Sequence, residues 1–280
     1  MAVKIVTDST SDITAEMAAK TGITVVPLTV SFGHESFLDR AEMSSDEFFR
    51  RLTKQDIFPT TTQPSPNTFA QVYNKLCKET SEILVLTISR KLSGTYDSAL
   101  SARALVENKN CRIEVIDSET VIMGLGLLAI AASELAARGL SLDRIKAEIV
   151  KKLPQSHAVM SFDTLKYLAK GGRIGKAQGF VGALLSIKPV LTMRDGEVAP
   201  LTRVRSKAAA IDALYNFVAE FKNIEGLAVE HATTPEDTEA LIERLGALYP
   251  KEKIYRSTVS SVIGTYSGPN VLSVSLMATA

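Results

Sequence analysis

The sequence predicts an α/β protein with two domains. Its 280 residues are about twice a typical domain length, and 45% are hydrophobic and 22% charged, as in ordinary globular proteins. Strand-like and helical segments alternate through the first half, which predicts right-handed crossovers and a mainly parallel sheet in a three-layer α/β/α domain over residues 1–156. The alternation weakens near Leu153, so residues 157–280 predict a mixed-sheet α/β domain.

The first half predicts four strands and five helices. Ser, Thr and Asp at N-cap positions indicate helix starts, and Gly22 and Gly139 indicate two helix ends. Residues 33–43 and the Thr- and Pro-rich segment 59–66 are predicted as loops. In order, the elements are strand 3–7, helix 13–21, strand 23–30, helix 45–52, helix 68–79, strand 83–89, helix 94–108, strand 112–116 and helix 120–138.

The second half begins with a glycine-interrupted apolar stretch over residues 171–182. Asp195-Gly196 is a strong hairpin-turn signal between two strand-like runs. The predicted elements are strands 188–193 and 198–204, helix 206–221, strand 227–231, helix 235–248, strand 254–259 and strand 271–277.

Composition excludes several classes of protein. Lys plus Arg number 32 and Asp plus Glu 31, a net charge of +1, which disfavours a nucleic-acid binder and a DNA-associated regulator. Cys77 and Cys111 are too few for a disulfide framework or a four-cysteine zinc site, and each is predicted to be a buried thiol. The longest apolar run, residues 121–132, is shorter than the ~18–20 residues of a membrane span, so we expect a soluble, cytoplasmic protein.

Polar side chains follow three of the predicted strands. Thr7-Asp8-Ser9, Thr87-Ile88-Ser89 and Asp117-Ser118 each come directly after an apolar run. Ligands of open α/β sheets bind at the carboxyl ends of strands, so these residues predict a polar site at one sheet edge. The alternative is that they only cap the helices that follow.

Two loops are rich in hydroxyl groups, Thr60–Pro66 and Ser89–Tyr96. Ser93 is predicted as the N-cap of a helix, and Gly94 allows a ligand to approach the backbone closely. Free N–H groups in the first turn and nearby hydroxyls form a site for a carboxylate or phosphate. Simple capping by Ser93 is the alternative.

Ser93 is also weighed as the nucleophile of a hydrolase or of a small-molecule kinase. A nucleophile needs a base within hydrogen-bonding reach, and the spacing of His34, His157 and His231 selects none. No Walker loop and no G-x-S-x-G elbow surrounds Ser93, and no metal-ligand spacing occurs. Catalytic and metal-binding residues are therefore not predicted.

A basic segment stands out against the near-zero net charge. Residues 164–194 contain six Lys and Arg and no acidic residue. Gly171-Gly172 suits a tight turn that directs Arg173 into a cleft, where it would attract phosphate or an acidic partner. The alternative is a solvated face whose Lys stems cover apolar surface.

The predicted helix over residues 121–137 is apolar on every side, which indicates burial on all sides. It is either a core helix or the wall of a pocket. Gly124 and Gly126 open space beside the backbone for an elongated apolar ligand, and Ile122, Met123 and Gly126 are our candidate lining residues.

In order, these motifs resemble the DegV family of bacterial fatty-acid-binding proteins, from Lys4 to about Val274. Single motifs are modest, but the ordered set is specific. The matching segments are Val6-Thr7-Asp8-Ser9, Thr60-Thr61-Thr62-Gln63-Pro64-Ser65, Leu92-Ser93-Gly94-Thr95-Tyr96, Ile116-Asp117-Ser118, Tyr167-Leu168-Ala169-Lys170-Gly171-Gly172-Arg173-Ile174 and Ile187-Lys188-Pro189.

The resemblance implies two intertwined α/β domains with a long-chain fatty acid buried between them. Thr61, Thr62 and Ser93 match the residues that bind the carboxylate, and Gly94 and Tyr266 are assigned to the same site. The acyl chain is assigned to the pocket of the apolar helix. No cofactor is implied.

The resemblance also implies a carrier that is not itself an enzyme. A separate ATP-binding fatty acid kinase subunit phosphorylates the bound carboxylate, and the acyl phosphate enters phospholipid synthesis, with transient membrane contact. Arg173 and Arg203 or Arg205 match basic residues that face the phosphate and the kinase subunit.

One motif departs from the family. Its C-terminal pattern Gly-Thr-His-x-Gly-Pro-Gly reads Gly264-Thr265-Tyr266-Ser267-Gly268-Pro269-Asn270 here. Tyr266 can donate a hydrogen bond but is neutral near pH 7, so a charge-neutralising role of this position is in doubt while carboxylate binding is not.

Overall fold

The computed structural model describes residues 2–180 and 187–279. Within this part of the chain, thirteen strands form three sheets and ten α-helices surround them. The strands are β1 (Lys4–Asp8), β2 (Thr24–Val26), β3 (Thr29–Phe32), β4 (Glu35–Leu38), β5 (Thr60–Thr62), β6 (Glu82–Thr87), β7 (Arg112–Asp117), β8 (Ser156–Ser161), β9 (Lys188–Arg194), β10 (Glu197–Val204), β11 (Asn223–His231), β12 (Tyr255–Thr258) and β13 (Leu272–Thr279). The helices are α1 (Ala15–Thr21), α2 (Ser45–Lys54), α3 (Pro66–Leu76), α4 (Thr95–Ala102), α5 (Met123–Ala137), α6 (Leu142–Lys152), α7 (Lys166–Lys170), α8 (Lys207–Ala219), α9 (Pro235–Leu245) and α10 (Ser261–Ser267).

The first sheet is parallel throughout, with strand order β2-β1-β6-β7. Side chains alternate along β6, so Ile83 and Val85 pack with α3 and α4 while Leu84 and Leu86 pack with α5 and α6. The predicted parallel three-layer arrangement of the first half is confirmed.

The second sheet is mixed, with strand order β10-β9-β8-β13-β11-β12. All its neighbours are antiparallel except β11 and β12. Asp195 and Gly196 join β9 to β10 with φ values of 53° and 77°, the left-handed geometry that the two-residue hairpin signal predicts. The mixed sheet of the second half is therefore confirmed.

Helix α5 lies between these two sheets. It contacts β1 and β6 on one side and β8, β11 and β13 on the other, and eleven of its fifteen residues are buried. A helix enclosed by two sheets needs no polar face, which explains its all-round apolar sequence. Because α5 comes from the first half and packs on strands of the second, both halves share one core.

The third sheet is antiparallel and was not predicted. A single strand was expected over residues 23–30, but the chain breaks at Pro27, which cannot donate a ladder hydrogen bond, into β2 and β3 of different sheets. Residues 33–43 and 59–66, expected as loops, contribute β4 and β5 on either side of β3.

Three helices were also missed by the sequence interpretation: α6, α7 and α10. Helix α10 matters most, because it packs on α2, α7, β3 and β5 and so joins the second half to the small sheet. Part of the glycine-interrupted stretch 171–182, residues 181 and 182, lies outside the described residues.

The prediction of two separate buried thiols is wrong. Cys77 and Cys111 form a disulfide, with their Cα atoms 5.8 Å apart. Cys77 ends α3 and Cys111 immediately precedes β7, and the packing of α3 on the parallel sheet brings these two ends together. A sequence separation of 34 residues carries no sign of that contact.

Across the described residues, no helix is long and apolar enough to span a bilayer. The boundary between residues 1–156 and 157–280 remains a prediction; β8, which belongs to the mixed sheet, begins at Ser156.

Candidate functional site

A narrow cavity of about 70 Å³ lies where the carboxyl end of the parallel sheet meets α7, α10 and the β9–β10 hairpin. Most of its wall is apolar, and its polar groups belong to several separate segments. The lining residues are Thr10, Leu28, Thr61, Gln63, Ile88, Leu92, Ser93, Val121, Met160, Phe162, Leu168, Arg173, Val198, Val262, Ile263, Tyr266 and Ser267.

Two predicted carboxylate-binding residues meet in this cavity. Thr61 Oγ1 lies 2.6 Å from the Tyr266 hydroxyl, which joins β5 to α10 across 205 residues of sequence. Thr62 is exposed and does not line the cavity, because successive strand residues point to opposite faces. The pair therefore presents two hydroxyls, and the assignment of Thr62 remains a prediction.

Ser93 lies in the loop between β6 and α4. Gly94, not Ser93, occupies the N-cap position of α4, while Ser93 Oγ accepts the Thr95 N–H at 3.3 Å and lies 2.9 Å from Thr95 Oγ1. A Cβ at Gly94 would lie 2.8 Å from Gln63 Nε2, so glycine allows the two hydroxyl-rich loops to pack closely.

Arg173, which belongs to the second half of the chain, lines the same cavity. Its Nε donates to the Leu92 carbonyl at 3.3 Å, and its guanidinium lies 5.0 Å from the centre of the Tyr266 ring. A Cβ at Gly171 would clash with Tyr266 Cδ1, so the predicted tight turn also makes room for this ring. Arg173 is exposed on one side and lines the cavity on the other.

The other two predicted arginines lie outside the cavity wall. Arg203 stacks its guanidinium 3.8 Å from the Phe180 ring centre and donates to the Gly179 carbonyl at 3.3 Å. Arg205 is exposed. Their assignment to a phosphate or kinase surface remains a prediction.

Two of the six basic residues in segment 164–194 form ion pairs with acids from flanking sequence. Lys176 pairs with Asp195 at 2.7 Å, and Lys188 pairs with Asp163. Arg173 has no ion pair within the described ranges, so its positive charge is uncompensated at the cavity.

The predicted acyl-pocket residues lie beside the cavity and not in its wall. Val121 lines it, whereas Ile122, Met123 and Gly126 are buried in the core behind it. A Cβ at Gly126 would lie 2.6 Å from the Ser11 carbonyl oxygen, so this glycine lets the loop after β1 approach α5. Their role in holding an acyl chain remains a prediction.

The polar residues at the carboxyl ends of β1, β6 and β7 mainly form hydrogen bonds to the backbone of the loops at this edge of the sheet. Asp8 accepts the N–H groups of Thr10 at 3.0 Å and Ile88 at 2.8 Å, and burial raises its pKa to about 6. Asp117 accepts the Arg90 N–H at 3.1 Å. Ile88 of these strand ends lines the cavity, as does Thr10, which follows the first of them.

The arrangement does not support a Ser93 nucleophile. In residues 2–180 and 187–279, no histidine nitrogen is hydrogen-bonded to Ser93. His157 packs 4.7 Å from the Phe221 ring, and His34 is exposed. No group of three or more His, Cys, Asp and Glu among the described side chains has the arrangement of a metal site.

Several cavity residues were missed by the sequence interpretation. Val262 and Ile263 belong to α10, whose start is signalled by Ser260, an N-cap whose side chain accepts the Ile263 N–H. Phe162 precedes α7 and Leu168 lies within it, and no local pattern distinguishes them from other core residues.

Comparison with known families identifies relatives over the whole chain. Residues 2–279 match the model of the DegV family, which carries the description "Uncharacterised protein, DegV family". A DegV domain-containing protein of Caldanaerobacter subterraneus is 35% identical over 276 residues, covering 97% of each chain. Protein DegV of Bacillus subtilis is 32% identical, covering 98% of each chain.

Solved structures are also similar to this chain over its whole length. A DegV family protein from Thermus thermophilus, described as fatty acid binding, has a TM-score of 0.91 and 33% identity, with 100% of each chain covered. DegV of Bacillus subtilis, described as a fatty acid binding protein, has a TM-score of 0.89 and 31% identity over 100% of each chain.

Proposed function

The chain belongs to the DegV family, and from this premise we propose that it binds a long-chain fatty acid in the cavity described above. The observation that carries the proposal is the Thr61–Tyr266 hydroxyl pair, 2.6 Å apart, in the wall of a mostly apolar cavity. Such a cavity suits a ligand with one polar end and a long apolar body.

The carboxylate would lie among three hydroxyl groups. Ser93, Thr61 and Tyr266 can each donate an O–H, while Arg173, whose guanidinium lies 5.0 Å from the centre of the Tyr266 ring, is assigned to the phosphate and not to the carboxylate. A carboxylate removed from water needs such donors to offset its lost hydration. Tyr266 would supply its hydrogen bond without adding charge.

The acyl chain would extend along the apolar wall. Ile88, Leu92, Val121, Met160 and Leu168 line the cavity and come from both halves of the chain. Burial of each methylene contributes about 0.8 kcal/mol, so a long chain gains most of its affinity here.

We further infer that the protein presents the carboxylate to a separate ATP-dependent kinase subunit. The γ-phosphoryl group of ATP would pass to a carboxylate oxygen, which yields an acyl phosphate and ADP. Arg173 supports this role, because it lines the cavity and is also exposed at the surface, where a developing phosphate could reach it. The acyl phosphate would then supply phospholipid synthesis.

Ligand content and a matched pair of variants test the binding proposal. Mass spectrometry of lipid extracted from purified protein should find about one fatty acid per chain. Thr61→Val should lower the affinity for palmitate or oleate about tenfold or more, because a hydrogen bond to a charged group contributes about 1.5–3 kcal/mol.

Thr60→Val is the control, since Thr60 lies on the same strand, is exposed and is outside the cavity wall. Protein that contains no fatty acid and takes up neither palmitate nor oleate would refute fatty acid binding. If the two variants bind fatty acid with equal affinity, the proposal of fatty acid binding stands, but the carboxylate does not contact Thr61.

A further inference from the structure

Four carboxyl groups are buried where the two halves of the chain meet. Asp8, Asp12, Asp39 and Glu230 are each at most 1% exposed. Arg40 is the one cation that forms an ion pair with this group within the described ranges, with Nη2 3.2 Å from Asp12 Oδ1. Four carboxylates beside one guanidinium would leave several negative charges uncompensated away from water.

Each of the four carboxyl groups accepts at least one backbone N–H, which favours its ionised form. Asp8 accepts two N–H groups, and Asp39 Oδ1 accepts the Ser261 N–H at 2.9 Å. Asp12 Oδ1 accepts the Ser260 N–H at 3.0 Å as well as the Arg40 guanidinium. Asp12 Oδ2, however, is buried and has no donor among the described residues.

Glu230 on β11 faces Asp12. Both Glu230 oxygens lie 3.2 Å from the Met123 N–H, and Ser273 Oγ donates to Oε2 at 3.3 Å. The two residues are brought close together by Ser257, which is the neighbour of Glu230 on strand β12 and whose Oγ donates to the Asp12 carbonyl oxygen. Two ionised carboxylates in this position would repel, whereas one protonated carboxyl donates an O–H to the other.

We propose that Asp12 and Glu230 share one proton at neutral pH and that this pair, with Arg40, is a pH-sensitive clamp between the two halves of the chain. Asp12 follows β1 in the first half, and Glu230 and Ser260 belong to the second. Arg40 extends the clamp, because its Nη2 also donates to the Thr258 carbonyl. The clamp lies behind the cavity and does not depend on what the cavity binds.

The charged groups that face the pair are Arg40 and Asp39. Burial raises the pKa of Glu230 well above its usual range, and the adjacent Asp12 raises it further. Burial also raises the pKa of Asp12 and of Asp39. A raised carboxyl pKa means that the folded chain holds a proton that the unfolded chain releases, so stability is lost as pH rises through the titration of the pair.

Two isosteric substitutions test the clamp. Glu230→Gln and Asp12→Asn each replace the shared proton with a permanent N–H donor, and Asn tolerates the left-handed φ of 53° at position 12. Glu225→Gln, on the same strand but in a surface ion pair with Lys152, is the control.

We expect the stability of the wild type and of the control to fall between pH 5 and 9 more steeply than that of either variant. The difference in the folding equilibrium constant should approach tenfold per pH unit, the effect of one bound proton. Parallel pH profiles for all four proteins would overturn the proposal.

Infrared spectroscopy provides a readout that does not depend on the stability of the variants. The wild type at pH 7 should show the carbonyl stretch of a protonated carboxyl group, and this band should disappear at alkaline pH and weaken in each variant. Absence of a protonated carboxyl band from the folded wild type at pH 7 would refute the shared proton even if neither variant folds.

Discussion

At the scale of single residues, neighbours in sequence have different roles because they point in different directions. Thr61 contacts Tyr266 in the cavity, whereas Thr62 is exposed. The N-cap of α4 is Gly94, one position after the predicted Ser93, whose Oγ accepts the Thr95 N–H. The residue types indicate a site for an anion, and the orientation of each side chain determines which of them can reach it.

At this scale, His157 allows a test of how burial of a titratable side chain makes stability depend on pH. It packs 4.7 Å from the Phe221 ring, and burial lowers its pKa below the usual 6.5. The His157 imidazole therefore binds a proton more readily in the unfolded chain than in the folded one. Burial of neutral His157 stabilises the fold above about pH 6.5, and this stabilisation is lost as pH falls below that value.

His157→Phe should lose less stability than the wild type when pH falls from 7 to 5. Thermal unfolding at several pH values measures this, and His34→Gln, at an exposed position, is the control. A His157→Phe protein as acid-sensitive as the wild type would show that His157 does not contribute to acid unfolding.

At the scale of elements, the apolar sequence of α5 and the positions of its glycines are explained by the elements that pack around it. Its apolar residues contact both large sheets, and its glycines permit approaches that a larger side chain would prevent. A Cβ at Gly126 would lie 2.6 Å from the Ser11 backbone oxygen, whereas the nearest atom at Gly124 is Thr120 Oγ1 at 2.7 Å, part of a side chain.

Gly126→Ala should therefore destabilise the protein although alanine favours helix. Overpacking against backbone costs about 1–3 kcal/mol, against a gain in helix propensity of about 1 kcal/mol. Thermal unfolding should show a melting temperature lower than that of Gly124→Ala, where the Thr120 side chain can move. A Gly126→Ala protein at least as stable as Gly124→Ala would contradict this account of the close approach.

At the scale of the whole molecule, the two halves are interlocked. Helix α5 of the first half packs on the mixed sheet of the second, while α10 of the second half packs on the small sheet of the first. Ser89 donates to the Gly196 carbonyl at 2.7 Å, which ties the parallel sheet to the β9–β10 hairpin. The cavity is assembled from both halves as a result.

The proposed partnership with a kinase subunit belongs to this scale. Arg173→Ala should leave fatty acid affinity within about threefold and reduce ATP-dependent acyl phosphate formation by the kinase subunit about tenfold or more, as expected for loss of a charge-assisted contact. Arg244→Ala is the control, because Arg244 also stacks on an aromatic ring, 4.8 Å from the Tyr215 ring centre. Equal loss of binding and phosphorylation would place Arg173 in the lipid site instead.

The parts of the fold that depend on local pattern were predictable. Strand–helix alternation predicts the parallel sheet, Asp195-Gly196 predicts the hairpin, and the all-round apolar sequence of residues 121–137 predicts a helix enclosed on all sides. The small sheet was not predictable in the same way, because β5 is three residues long and is stabilised by pairing with β3, about 30 positions earlier.

The sequence by itself determined the family, the two kinds of sheet and the chemistry available to the site: hydroxyls, one cation and apolar wall residues. Only the tertiary structure decided that Thr61 meets Tyr266, that Cys77 meets Cys111 and that Asp12 and Glu230 are both buried beside Ser257. Local patterns depend on neighbours within a few residues, whereas these contacts join positions that become adjacent only when the sheets and α5 pack together.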